Sequence, residues 1–161
     1  MEQNAKVVNV QKILEKYNYS RQKLIFMLHE IQEESGRNYI SQESAREVAN
    51  GMNITLAEVY EVITFYSMFS QVPRGKYVIE VCKSGPCFVK GSKKIVDYLE
   101  EILGIKPGEI TKDNLFSVET VSCIGACDIS PAIKIGKEVY GNLTKEKLID
   151  IITSYREGNI C

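Results

Sequence analysis

The residues best able to do chemistry in this 161-residue chain are five cysteines and a single histidine. Four cysteines form two close pairs, Cys82-x4-Cys87 and Cys123-x3-Cys127, and Cys161 stands apart. Structural disulfides are disfavoured in a reducing cytosol, so paired thiols there read as metal ligands or redox catalysts. A thioredoxin-type redox site wants C-x-x-C, and neither pair has that spacing. Zinc sites favour two-residue spacers but accept up to four, so a four-thiolate zinc site is an open alternative. The lone His29 removes a Rieske centre and a two-histidine zinc finger, both of which need a pair of histidines. His29 itself reads as an ordinary helix residue, and Cys161 as a spare thiol at a frayed end. An all-cysteine site remains, and four thiolates are what a [2Fe–2S] centre requires.

The loops around the cysteines favour a cluster over zinc. A four-thiolate [2Fe–2S] core is net negative, so its surroundings should offer positive charge and backbone N–H groups. The first loop reads Cys82-Lys83-Ser84-Gly85-Pro86-Cys87-Phe88-Val89-Lys90-Gly91. Gly85 permits a tight turn, and Pro86 suits the first position of a helix. Cys87 then falls in a first helical turn, where the helix dipole favours a thiolate. Lys83 and Lys90 add nearby charge. The second loop, Cys123-Ile124-Gly125-Ala126-Cys127, is built of small residues that let N–H groups approach sulfur.

These loops need elements to position them, and the chain changes character near residue 72. Residues 1–72 read as helical: Leu24, Leu28 and Ile31 share a face closed by Gly36, a helix follows Ser41 to about Gly51, and the capping box Thr55-Leu56-Ala57-Glu58 opens a helix reaching about Phe69. From residue 73 strands and helices interleave. Tyr77, Ile79 and Val81 alternate along a strand that delivers the chain to Cys82. One helix is expected over residues 86–103 with Gly104 as its C-cap, and a strand over 115–121. A hairpin over 132–135 and 138–140 follows, then a helix from Thr144 to Gly158. The order β-α-β-β-β-α suits a thioredoxin-like layout with both cysteine pairs after strand ends, at one end of the sheet. Pro131, just before a strand, is where such folds place a cis proline.

Composition bounds the partners. Twenty basic against 21 acidic residues give a net charge of −1, too balanced for the basic footprint that nucleic acid requires. The longest uncharged stretch, residues 62–73, is too short to span a bilayer, and no signal-peptide pattern opens the chain. A cytoplasmic location is therefore expected. No G-x-G-x-x-G or P-loop motif suggests nucleotide binding on this chain.

Four stretches resemble a known family: Val59-Tyr60-Glu61-Val62-Ile63-Thr64-Phe65-Tyr66-Ser67-Met68-Phe69, Gly75-Lys76-Tyr77-Val78-Ile79-Glu80-Val81-Cys82, Val121-Ser122-Cys123-Ile124-Gly125-Ala126-Cys127 and Val139-Tyr140-Gly141-Asn142-Leu143-Thr144. They are similar to the 24 kDa [2Fe–2S] subunit of NADH:quinone oxidoreductase and to its relatives in NAD(P)-dependent hydrogenases and formate dehydrogenases. The resemblance implies a mixed α+β or α/β chain, with an N-terminal helical bundle over 1–72 and a thioredoxin-like ferredoxin domain over 73–161. It implies that Cys82, Cys87, Cys123 and Cys127 ligate one [2Fe–2S] cluster, and that the chain transfers single electrons with no acid–base catalysis of its own. It further implies a partner subunit carrying FMN and NAD(P), with a further iron–sulfur or hydrogenase-type subunit beyond it. Two departures stand out: Asp128 replaces a frequent glycine, and Lys83-Ser84-Gly85-Pro86 replaces a loop often richer in threonine. An acid beside a cluster lowers its potential by disfavouring the added electron. A stand-alone thioredoxin-like ferredoxin and a four-cysteine zinc interaction module are the competing readings.

Overall fold

The computed structural model describes residues 8–158. The chain divides into two compact units, Met1–Arg74 and Gly75–Cys161.

The first unit is helical. α1 (Val10–Lys16) is capped by Asn9, whose side chain accepts from the Lys12 N–H at 3.1 Å. Its short length hid it from the sequence reading, although Val10, Ile13, Leu14 and Tyr17 follow helical spacing. A 3₁₀ turn (Arg21–Lys23) leads into α2 (Leu24–Glu34). α3 (Gln42–Met52) starts at the expected Ser41 cap, and α4 (Leu56–Phe65) at the expected Thr55–Glu58 capping box. Met27, Leu28, Ile31, Val48 and Val59 are wholly buried in one core, each contributing roughly 1.5–3 kcal/mol relative to an exposed side chain.

α4 stops at Phe65, short of the expected Phe69, and Tyr66 is already extended. Buried Gln32 explains the early end. Its amide donates to the Met68 carbonyl at 2.9 Å and accepts from the Ser70 N–H at 2.8 Å, holding the chain in a non-helical path. Phe69 is buried by this path, whereas Phe65 is 80% exposed.

The second unit is a four-stranded sheet with helices. β1 (Tyr77–Cys82) leads to α5 (Gly85–Val89), α6 (Ser92–Leu103), β2 (Phe116–Val121), β3 (Ile133–Ile135), β4 (Glu138–Tyr140) and α7 (Lys145–Glu157). The sheet order is β2-β1-β3-β4, with β1 and β2 parallel and the other pairs antiparallel. The single helix expected over 86–103 is two, because Gly91 takes a left-handed φ of 96° between them, a conformation that breaks a helix. Ile79, Leu99, Phe116, Val118, Ile133, Leu148 and Ile152 form the core joining the sheet to α6 and α7. The Ser130–Pro131 peptide is cis, as its position before β3 suggested. No helix of the described residues is long and apolar enough to cross a membrane.

Candidate metal centre

Parallel pairing brings the two cysteine loops together. In the β1–β2 register Cys82 lies opposite Val121, and the Lys83 N–H continues the ladder to the Val121 carbonyl at 3.0 Å. Both strands thus release their chains at the same end of the sheet, the first into Lys83 and the second into Ser122 and Cys123. That end is where open α/β sheets hold ligands.

The first loop turns immediately into α5. Ser84 precedes the helix, Pro86 takes its second position rather than the expected first, and Cys87 is buried in its only turn and a half. Gly85 does not have a positive φ, and a Cβ there meets nothing within 4 Å, so this turn does not require glycine. In the second loop the requirement is real. Gly125 has a φ of 82°, which aims its N–H at the Cys123 sulfur, 3.4 Å away.

Cys82 and Cys87 are each 1% exposed, and Cys123 and Cys127 are open to solvent. The thiols stand as two pairs, Cys82 with Cys87 and Cys123 with Cys127, each thiol shifting the titration of its neighbour. Among the described residues no three His, Cys, Asp or Glu side chains meet at ion-holding distance. The pairs nevertheless share surroundings. Burial pushes the Cys82 thiol up, but N–H groups of Ser84 and of Ile124, the latter from the other loop, together with contacts to Cys87 and Ser84, hold it below the ordinary thiol value. Cys87 is pushed up by burial and by Cys82, against which the Ala132 N–H and the Ser130 hydroxyl act. Cys127 is raised by its hydrogen bond and charge interaction with Cys123, by desolvation, and by the charges of Cys82 and Asp128. A thiol in one pair therefore feels a thiol in the other.

The donor set suits a thiolate-bound, net-negative two-iron centre. Every candidate ligand is sulfur, and the groups turned toward sulfur are N–H and O–H donors, which stabilise anionic sulfur. Two pairs also match a core in which each iron takes two protein ligands. The lysines act less directly than expected. The Lys90 ammonium donates to the Cys127 carbonyl at 3.5 Å rather than to sulfur.

Sequence reasoning missed several supporting residues. Ser130 donates its hydroxyl to the Cys127 carbonyl. Gly141 lies against Ile129, and the Asn142 N–H donates to the Ile129 carbonyl, so the segment before α7 braces the backbone between Cys127 and Pro131. The Ser-Pro step before a strand was a legible signal for Ser130; Gly141 carried none beyond its place in a matching stretch. His29 lies on α2 in the other unit, with Nδ1 3.7 Å from Glu33, and takes no part in the site. Cys161 lies outside the described residues.

The chain resembles known proteins over most of its length. The sequence is 41% identical over 132 residues to the NADP-reducing hydrogenase subunit HndA of Solidesulfovibrio fructosivorans, covering 82% of this chain and 76% of that one. It is 38% identical over 147 residues to a subunit of NADH-quinone oxidoreductase from Aquifex aeolicus, covering 89% of this chain and 91% of the relative. Among solved structures, part of an NAD⁺-reducing [NiFe]-hydrogenase shares the fold, with a TM-score of 0.74 and 20% identity. That match covers 84% of this chain and 23% of the much longer hydrogenase polypeptide. The profile of the thioredoxin-like [2Fe–2S] ferredoxin family matches residues 10–156, and the chain belongs to that family.

Proposed function

We propose that this chain holds one [2Fe–2S] cluster on Cys82, Cys87, Cys123 and Cys127 and serves as the small electron-transfer subunit of an NAD(P)H-linked flavo-iron–sulfur oxidoreductase. The observation that carries this reading is the pair of two-thiol loops leaving adjacent parallel strands at one sheet end, where the Lys83 N–H bonds the Val121 carbonyl. Bound there, the cluster supplies one-electron chemistry. The chain's own contribution is electrostatic and steric. Cys82 and Cys87 provide buried sulfur, the N–H groups of Ser84, Ile124, Gly125 and Ala132 stabilise anionic sulfur, and Cys123 and Cys127 face outward toward a partner. FMN and NAD(P) belong to the partner subunit, because hydride chemistry needs a flavin and nicotinamide site whose motifs this sequence lacks.

A subunit is favoured over a free carrier because the similarity to subunits of NADH-quinone oxidoreductase and NADP-reducing hydrogenase extends through the helical unit, which holds none of the paired cysteines. Free paired thiols support a reducing, cytoplasmic location. Anaerobic purification of the full chain tests the cluster. The expected protein is red-brown, with equal iron and acid-labile sulfide, and Cys82→Ser or Cys127→Ser loses that stoichiometry. A colourless chain with stoichiometric zinc and no sulfide refutes the reading. Co-elution with a flavoprotein from native extract is expected on size exclusion, and a persistent monomer returns the carrier.

A further inference from the structure

Beside the thiol loops lies a surface that cluster binding leaves unused. Residues 83–96 carry Lys83, Lys90, Lys93 and Lys94 and no acid, in a chain whose net charge is −1. The ammonium groups of Lys83, Lys93 and Lys94 have no ion-pair or hydrogen-bond partner among the described residues, and that of Lys90 meets only the Cys127 carbonyl. Lys90 and Lys94 line a groove of about 470 Å³ at the start of α6 and α7, floored by Ile95, Tyr98, Pro131 and Leu143. On its far side Lys145 is neutralised by Glu101, and Glu146 is the one carboxylate among the lining residues. Val89, which lines the groove, and Phe88 before it are 84% and 62% exposed although buried Cys87 directly precedes them.

Single exposed apolar residues are ordinary on a protein surface. Two in succession, immediately after a buried site cysteine and in a stretch whose four lysines form no ion pair, are the anatomy of an apolar contact with a charged rim. We propose that Phe88, Val89 and this groove form the docking surface by which an electron-transfer partner approaches the thiol site, with the groove taking an acidic segment of that partner. The inference rests on the cluster reading above. Lys90 links the two features, since its ammonium touches the backbone of Cys127 while its stem lines the groove. The unpaired lysines specify the partner's chemistry: carboxylates opposite Lys90 and Lys94, and an apolar patch opposite Phe88 and Val89.

The test uses the full chain with its cluster loaded, and the flavin-bearing iron–sulfur subunit recovered from the complex that a tagged wild-type chain assembles. The spectrum of the wild-type chain is read first. A chain without cluster absorption overturns the cluster reading, and this proposal falls with it. With the cluster present, Lys90→Glu combined with Lys94→Glu is expected to slow association by about tenfold or more at low ionic strength. The difference should close near 1 M salt, where the screening length is about 3 Å. Phe88→Ser is expected to raise the dissociation constant about tenfold at every salt concentration. Val89→Ser repeats that test at the more exposed side chain, where folding is not at risk. Variants that keep the cluster spectrum and bind within about twofold of wild type overturn the docking surface alone. Variants that instead change the sedimentation of the isolated protein assign the surface to a second copy, which also overturns the proposal.

Discussion

Substituting Gly141 by alanine should damage the thiol site from a distance. A Cβ at this position would lie 2.5 Å from the Ile129 Cβ, Cγ1 and carbonyl oxygen. Comfortable contact requires about 3.5 Å, so Ile129 must retreat by about 1 Å. One of the three atoms is backbone and another is the Cβ fixed to it, so no rotamer change removes the clash. Ile129 stands two residues after Cys127 and one before Ser130, whose hydroxyl donates to the Cys127 carbonyl. Metal–ligand distances tolerate only about 0.2 Å, so a shift of this size at Ile129 is far outside what a ligating Cys127 can absorb. Overpacking of this kind costs about 1–3 kcal/mol. For a unit of this size each kcal/mol lowers Tm by roughly 4–8 °C. The assay pairs thermal unfolding by circular dichroism with visible absorption and sulfide content of the reconstituted protein. Gly85→Ala is the control, since a Cβ there meets nothing and its φ suits any residue; it should match wild type or gain about 0.4–1 kcal/mol. Gly141→Ala loading as much cluster as Gly85→Ala, with a Tm within about a degree of wild type, refutes the bracing role.

Three further outcomes can be measured. Gln32→Leu leaves the buried Ser70 N–H without its side-chain acceptor and the Met68 carbonyl with the Arg74 guanidinium as its remaining side-chain donor, and should destabilise the helical unit by roughly 1–3 kcal/mol in urea unfolding, with the visible spectrum unchanged. Ser117 Oγ is buried without a hydrogen-bond partner, so Ser117→Ala should raise Tm; an unchanged or lower Tm would show that the hydroxyl is satisfied. Asp113 is held below the ordinary carboxylate value by the Thr111 hydroxyl, then by the Leu115 N–H, against a smaller burial effect. The stability it adds is complete above about pH 4, its unfolded value, and is lost as pH falls through its lower native value. Asp113→Asn should therefore flatten the acid limb of a stability–pH profile, and a parallel limb would rule this out.

Much of the second unit was legible because its signals are local. Tyr77-Val78-Ile79-Glu80-Val81 alternates cleanly, Thr144 and Gly158 bracket α7, and the hairpin turns at Gly136. Where local signals ran out, tertiary contacts decided. Apolar residues continue past Phe65, so periodicity extended α4, and only buried Gln32, a residue 36 positions from Met68, ends it. Helix signals run from Pro86 to Leu103 without a break, whereas the left-handed φ of Gly91 divides the segment into α5 and α6. At the site the cysteines and their loops were visible from spacing. The influence of the Ile124 N–H on Cys82 and of the Ser130 hydroxyl on Cys87 was not, because each joins segments that only the folded sheet brings together.

The parallel pairing of β1 with β2 also imposes a schedule on synthesis. Tyr77 pairs with Phe116, so nothing that depends on this register exists until the whole of α5, α6 and β2 has left the ribosome. A nascent polypeptide that stops before β2 presents Cys82 and Cys87 as half a site, without Cys123, Cys127 or the Ile124 donor. Closing that long crossover consumes conformational entropy before any contact rewards it. Pairing of β1 with β2 and the meeting of the two thiol loops are therefore one event, and it leaves Cys123 and Cys127 as the solvent-facing thiols.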